Sequence, residues 1–222
     1  MFRWGIFGTG DISAKFAQGL RALPAARVGA VASRDHARAE AFGRRYAADA
    51  VDSYDPAAMA GKVDAVYIAT PAGLHADHAR ACLEAGLPVL VEKPFAASAA
   101  EAKGILELAE RRGLFVMEGM WTRFLPAARA MAEAVAAGEI GQLRLLSGCF
   151  CLGSVVDPRQ AKFQPAMGGG ALRYYGVYPL ALGQMLAGPA ASVHAEGTRL
   201  ATGVDDSIAL TVQYRSGAVG NY

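Results

Sequence analysis

No stretch of this chain is a candidate for crossing a membrane, because its apolar runs are short or cut by Glu, Arg and Gly. A secretion signal is not expected either, since a strand-like run starts at the second residue. Charge of one sign is lacking too: 22 Lys and Arg oppose 20 Asp and Glu, for a net charge of +2. That balance argues against a nucleic-acid-binding surface. Cysteine is scarce, with Cys82, Cys149 and Cys151 alone. An odd count without a secretion signal predicts reduced, buried thiols and a cytoplasmic protein. His75 and His78 stand one helical turn apart with Cys82 a turn further on, but no carboxylate or cysteine pair completes a metal site, so none is expected. Repeats and low-complexity linkers are absent. Charged residues make up only 19% of the 222 positions and hydrophobic ones 53%, which excludes disorder and allows one large domain or two small ones.

What is present begins at the amino terminus. Phe2 to Phe7 reads as a buried parallel strand, and Gly8-Thr9-Gly10-Asp11-Ile12-Ser13 follows at once. Ile12, Phe16, Leu20 and Leu23 then mark one face of a helix that Pro24 ends. Strand, glycine turn and helix N-terminus make an anion site, where open N–H groups and the helix dipole face a phosphate. Gly8 permits the tight turn and Gly10 the approach of a pyrophosphate, while Ser13 takes the place of a third glycine. The pattern predicts dinucleotide binding, against the plainer reading of an ordinary strand–helix turn.

Strand and helix go on alternating. Ala26–Ser33 and Asp64–Thr70 read as strands, as do Leu87–Val91 and Leu114–Met117. Helices follow, capped by Asp35, started near Gly73, and opened by the capping box Ser98 to Glu101 with Ala102, Ile105, Leu106 and Ala109 inward. This is the rhythm of a doubly wound parallel sheet over residues 1–120. Past residue 120 the pattern changes. A helix over 126–137, a strand over 143–152, a helix within 168–187, and strands near 191–200, 204–214 and 217–222 predict an α+β region over 121–222. Its sheet reads as open and largely antiparallel. The last strand would leave an unpaired edge, so the chain reads as truncated or covered by a partner.

Ligands of such sheets bind beyond the carboxyl ends of the strands. Gly8–Ser13, Thr70-Pro71 and Glu92-Lys93-Pro94 all fall there and should converge. At the end of the second strand Ser33 and Arg34 replace the carboxylate usual for NAD. A guanidinium suits a 2′-phosphate, so NADP is favoured and NAD remains possible. Lys93, before a proline, is placed to polarise a carbonyl or pass a proton; a structural Lys–Glu pair is the bland reading. His75 is expected near the cofactor and His78 at the surface. Tyr174 and Tyr178, four apart, would share a helix face, and Tyr178 can act as an acid or base if a cation lowers its pKa. Trp121 and Phe150 suit an apolar substrate wall or simply a core.

Together these motifs resemble the Gfo/Idh/MocA oxidoreductase family. The resemblance rests on Gly8-Thr9-Gly10, Thr70-Pro71 with His75, Glu92-Lys93-Pro94 and Gly168-Gly169-Gly170-Ala171-Leu172. The run from Met117 to Phe124, which contains Arg123, and Gly203-Val204-Asp205-Asp206 look like the branch of dihydrodiol and D-xylose dehydrogenases. The resemblance implies a Rossmann domain and hydride transfer at a carbinol carbon of a sugar, polyol or trans-dihydrodiol. It implies Lys93 and Tyr178 as catalytic residues, with Trp121, Phe150 and Tyr174 at the substrate. Arg123 joins the cofactor set, and the resemblance implies homo-oligomers through the C-terminal sheet if the full chain is present. Two departures stand out. Tyr174 occupies the place of the family's carboxylate, and the chain lacks the family's later strands. A catalytically impaired nucleotide-binding sensor is therefore the rival reading.

Overall fold

A computed structural model describes residues 1–222, which divide into two compact units, Met1–Gly119 and Met120–Tyr222. In the first, strands β1 (Phe2–Phe7), β2 (Ala26–Ala32), β3 (Asp49–Val51), β4 (Ala65–Ile68), β5 (Val89–Glu92) and β6 (Val116–Gly119) form one sheet. All pairs are parallel, in the order β3-β2-β1-β4-β5-β6. The chain runs outward from β1 to β3, then returns to the other side of β1, so the order reverses between β1 and β4. A crevice opens at such a reversal, beyond the carboxyl ends.

Helices α1 (Asp11–Leu20), α2 (His36–Tyr46), α3 (His75–Glu84) and α4 (Ala99–Arg112) cover the sheet. Successive strand residues face opposite layers: Ile6 packs with Ala17, Val31 and Tyr67, whereas Phe7 packs with Ile68, Val91 and Ile105. Asp35 caps α2 through Arg38 N at 3.2 Å, and Ser98 caps α4 through Glu101 N at 3.2 Å. The capping box is offset by one, because Glu101 Oε2 accepts from Ala97 N rather than from Ser98 N. α1 ends at Leu20 instead of reaching Pro24, and its buried face is Ser13, Ala17 and Leu20. Ile12 and Leu23 are exposed, as is Leu106 of α4, which were all expected inward. The small Ser13 sets the contact line of α1 on β1, and that line excludes Ile12. β3 and the short turn Pro56–Met59 escaped the sequence reading, since three residues carry no periodicity.

The second unit holds α5 (Pro126–Ala136), β7 (Leu145–Ser147), α6 (Val177–Ala187), β8 (Ala190–Arg199), β9 (Asp205–Tyr214) and β10 (Val219–Asn221). Its sheet has the order β7-β10-β9-β8, antiparallel except between β10 and β7. Two expectations are corrected. The strand over 143–152 is confined to Leu145–Ser147. The terminal strand is no edge, because β10 lies between β9 and β7; the long edge is β8, exposed at all ten residues. Val212, Tyr214, Ala218 and Ala187 form the core of this unit. No helix in the chain is long and apolar enough to cross a membrane.

Candidate active site

The glycine turn is built by steric necessity. Gly8 has φ +105°, and a Cβ there would stand 2.7 Å from Ala69 O. Its N–H donates to Ala32 O at 3.0 Å. Gly10 is the N-cap of α1 and offers no side-chain acceptor. The first-turn N–H groups therefore lack a capping side chain, and a Cβ on Gly10 would meet nothing within 4 Å. Open donors, a helix N-terminus and free space above them suit the pyrophosphate of a dinucleotide. Thr9, Asp11 and Ile12 flank this turn, and Ser13, fully buried, packs helix on strand. At the end of β2, Ser33 Oγ accepts from Asp35 N at 3.2 Å, which leaves Arg34 exposed beside the turn. The sequence reading missed Arg38, whose guanidinium donates to Thr9 O at 3.4 Å. Its signal was its place one turn after the Asp35 cap.

The next two loops are tied together by His75. That ring is 1% exposed, with Nε2 2.8 Å from Thr70 O and Nδ1 2.8 Å from Pro94 O. Burial, and more weakly the Lys93 charge, hold its pKa below the usual value despite the two carbonyls. A neutral ring donates through one nitrogen at a time. His75 thus joins the Thr70-Pro71 loop to the Lys93-Pro94 loop, with its side chain enclosed rather than open to a cofactor. His78, expected at the surface, is half-buried instead. Its Nδ1 lies 3.0 Å from Thr70 Oγ1, and it packs edge-on to Phe7 at 5.5 Å.

Burial pushes the pKa of His78 down to about 4, with His75 adding to the effect. Between about pH 6.5 and pH 4 the unfolded chain then binds a proton that the folded chain refuses. Stability is complete above that window and drains as the pH falls through it. The expected loss is about 1–2 kcal/mol, discounted for the partial exposure of the ring, and His75 acts in the same direction. Urea midpoints measured from neutral pH down to about pH 4.5 check this. The slope should flatten in His78→Asn, and a flat wild-type profile would refute it.

Lys93 is positioned by its neighbours. Glu92 is 8% exposed; its Oε1 accepts from Tyr67 OH at 2.5 Å and its Oε2 from Lys93 N at 3.0 Å. Burial raises the pKa of Glu92 against those two donors. Glu118 Oε1 holds Phe95 N at 2.9 Å, and the Lys93–Pro94 peptide is cis. Two carboxyl groups and an imidazole therefore fix the turn that carries the ammonium. Glu92 itself is enclosed and positions Lys93. Within this unit the three loops do converge: Gly8 lies against Ala69 and Thr70, and His75 spans Thr70 and Pro94.

The second unit carries the aromatic residues. Trp121 Nε1 donates to Tyr178 OH at 3.3 Å. Phe150 stacks on Tyr175 at 5.3 Å and on Tyr178 at 5.4 Å. Tyr174 does not follow Tyr178. A π-helical turn spans Leu172–Gly176, with Val177 N donating to Leu172 O, and its wider winding breaks the α-helical four-residue spacing between the two tyrosines. Tyr174 instead lines a cavity of about 370 Å³ with Phe150, Tyr175 and Asp205, and Trp121 and Tyr178 are outside that lining. Burial, with Tyr175 as a minor cause, raises the Tyr174 pKa, so it is a neutral phenol. Asp205 Oδ2 accepts from Leu172 N at 2.6 Å and starts the helical segment. A Cβ on Gly170 would strike that carboxylate. Arg123 is exposed in the turn Trp121–Phe124. Cys149 and Cys151 are exposed, contrary to the expectation of buried thiols, and only Cys82 is buried.

The reversed parallel sheet, the glycine turn on a helix N-terminus and the clamped lysine after β5 define the nucleotide-binding unit of an NAD(P)-dependent oxidoreductase. The chain belongs to the GFO/IDH/MocA family. The model of its NAD-binding Rossmann fold matches residues 2–120, and that of its C-terminal domain residues 128–222. Trans-1,2-dihydrobenzene-1,2-diol dehydrogenase of Sus scrofa is 38% identical over 99% of this chain and 67% of its own length. The human enzyme of that name is 36% identical over the same shares. Among solved structures, the 3-ketoreductase KijD10 from Actinomadura kijaniata, in complex with NADP and TDP-benzene, superposes with a TM-score of 0.88. It is 31% identical over 99% of this chain and 68% of its own. An NAD binding oxidoreductase from Klebsiella pneumoniae gives a TM-score of 0.85 at 27% identity, over 99% and 65% of the two chains.

Proposed function

We propose that this chain is an NADP-preferring dehydrogenase or ketoreductase acting at a carbinol carbon of a sugar, polyol or trans-dihydrodiol. The observation that carries the reading is the fixing of Lys93 by Glu92, His75 and Glu118 around one turn. A group held so firmly serves a reacting centre better than a solvated surface. The relatives named dihydrodiol dehydrogenase supply the substrate class.

The bound nicotinamide supplies or accepts the hydride. The N–H groups from Thr9 to Ile12 would hold the pyrophosphate, and Arg34 would pair with the 2′-phosphate. Lys93 stabilises the negative charge that develops on the carbinol oxygen, and the Tyr178 hydroxyl passes the proton. Trp121 and Phe150 offer flat apolar faces to a ring. Residues 1–120 then serve the nucleotide and 121–222 the substrate. Assembly through the second sheet, whose β8 edge is open, and a cytoplasmic location complete the proposal.

Initial rates with NADP⁺ and NAD⁺ over a panel of trans-dihydrodiols, pentoses and polyols test the reading. NADP⁺ is expected to give the higher kcat/KM. Arg34→Asp should lower kcat/KM for NADP⁺ about 100-fold, the value of one charge-assisted phosphate contact turned into a repulsion, and spare NAD⁺. Equal losses with both nucleotides would remove Arg34 from specificity. No turnover with any pair would favour the sensor, for which Tyr174 in place of the carboxylate is the supporting observation.

A further inference from the structure

Cys149 and Cys151 play no part in the reaction proposed above, yet the geometry of the Cys149-Phe150-Cys151 sequence is specific. The two sulfurs lie 3.2 Å apart and both residues are exposed. A disulfide bond is about 2.05 Å long, so closure needs the sulfurs to approach by little more than 1 Å. The intervening Phe150 is the ring stacked on Tyr175 and Tyr178. Both cysteines and Phe150 also line the 370 Å³ cavity, which gives a small reagent access. The remaining cysteine is a built-in control: Cys82 is fully buried, and burial pushes its thiol up to about 12.

We propose that Cys149 and Cys151 form a dithiol redox site that closes to an intramolecular disulfide by exchange with a low-molecular-weight disulfide, and that Phe150 transmits the closure to Tyr175 and Tyr178. The hydrogen bond and charge of Cys151 raise the Cys149 thiol above its ordinary value, and either sulfur can be the donor in their 3.2 Å contact. Exchange opens on one of the pair as its thiolate, here Cys151. It attacks one sulfur of glutathione disulfide, whose S–S bond breaks, and one glutathione thiolate leaves. Cys149 gives its proton to solvent and attacks Cys151 Sγ, which releases the second glutathione. Two protein thiols are oxidised, and one glutathione disulfide is reduced by two electrons to two thiols. Closure draws the two cysteines together around Phe150 and tilts its ring against the tyrosines.

The test uses the reduced 222-residue chain in mixtures of oxidised and reduced glutathione. Thiol titration under denaturing conditions should fall from three thiols to one, with no glutathione retained. Peptide mapping should link Cys149 to Cys151 and leave Cys82 free. Cys149→Ser and Cys151→Ser should each hold one glutathione. Near-ultraviolet circular dichroism should change on oxidation and revert with dithiothreitol, and Phe150→Ala should lose most of that change while still closing the disulfide. Stable glutathione on the wild-type pair, cross-linked dimers, or three thiols surviving excess glutathione disulfide would overturn the site. An unchanged aromatic spectrum on full closure would overturn the role of Phe150.

Discussion

Replacing Lys93 by Ala lowers kcat about 1,000-fold and leaves the Kd for NADP⁺ within about twofold of wild type. The magnitude follows from removing a preorganised cation from a developing oxyanion, worth about 4 kcal/mol at 1.36 kcal/mol per decade. The split between the two constants follows from the structure. Lys93 rides on the turn fixed by Glu92 and His75, whereas nucleotide affinity rests on the N–H groups of the glycine turn and on Arg34. Lys93→Arg should recover little. It restores charge but not a compact ammonium on the same mount, and a planar guanidinium on a longer stem reaches a different point. Steady-state rates with the best substrate of the panel, beside fluorescence titration with NADPH, separate the two effects. A kcat within tenfold of wild type would remove Lys93 from the chemistry.

The parts of this site that were legible in the sequence are those that chemistry restricts most. A glycine at φ +105° against a carbonyl leaves few alternatives, and a short β-branched run ending in Pro or Gly marks a parallel strand. The carboxyl-end loops could therefore be located before any side chain was placed. What stayed hidden depended on packing. Choosing between His75 and His78 needed the direction of α3: one ring points under the strand ends, at two carbonyls, and the other points along Thr70 toward Phe7. On the inward face of α1, Leu20 and Phe16 pack as expected, but Ile12 gives way to Ser13, because close packing needed the smaller residue. The interior position of β10 is a topological fact about β7, a strand too short to announce itself. Asp205 was recognised within a motif but given no task. Its task, capping Leu172 N across 33 residues of chain, belongs to tertiary structure.

The glycine turn gives the second large effect, and here two neighbouring substitutions part company. Gly8→Ala is expected to damage folding and binding together. An alanine at φ +105° is strained, and its Cβ would press on Ala69 O, so the turn must move. The cost is about 2–3 kcal/mol, or about 5–10 °C in Tm for a chain of this size, with nucleotide affinity falling about 100-fold as the N–H groups lose their aim. Gly10→Ala is expected to spare the fold. Its φ of −81° and ψ of 179° suit alanine, and its Cβ meets nothing in the protein. Stability should therefore stay within about 1 kcal/mol. Affinity for NADPH should nevertheless fall at least tenfold, because the space entered by that methyl group is the space a pyrophosphate needs in order to reach the first turn of α1. Thermal melts of the nucleotide-free protein and NADPH titrations of the same samples decide the matter. A Gly10→Ala protein that melts normally and binds NADPH at full strength would show that the dinucleotide does not lie on this turn.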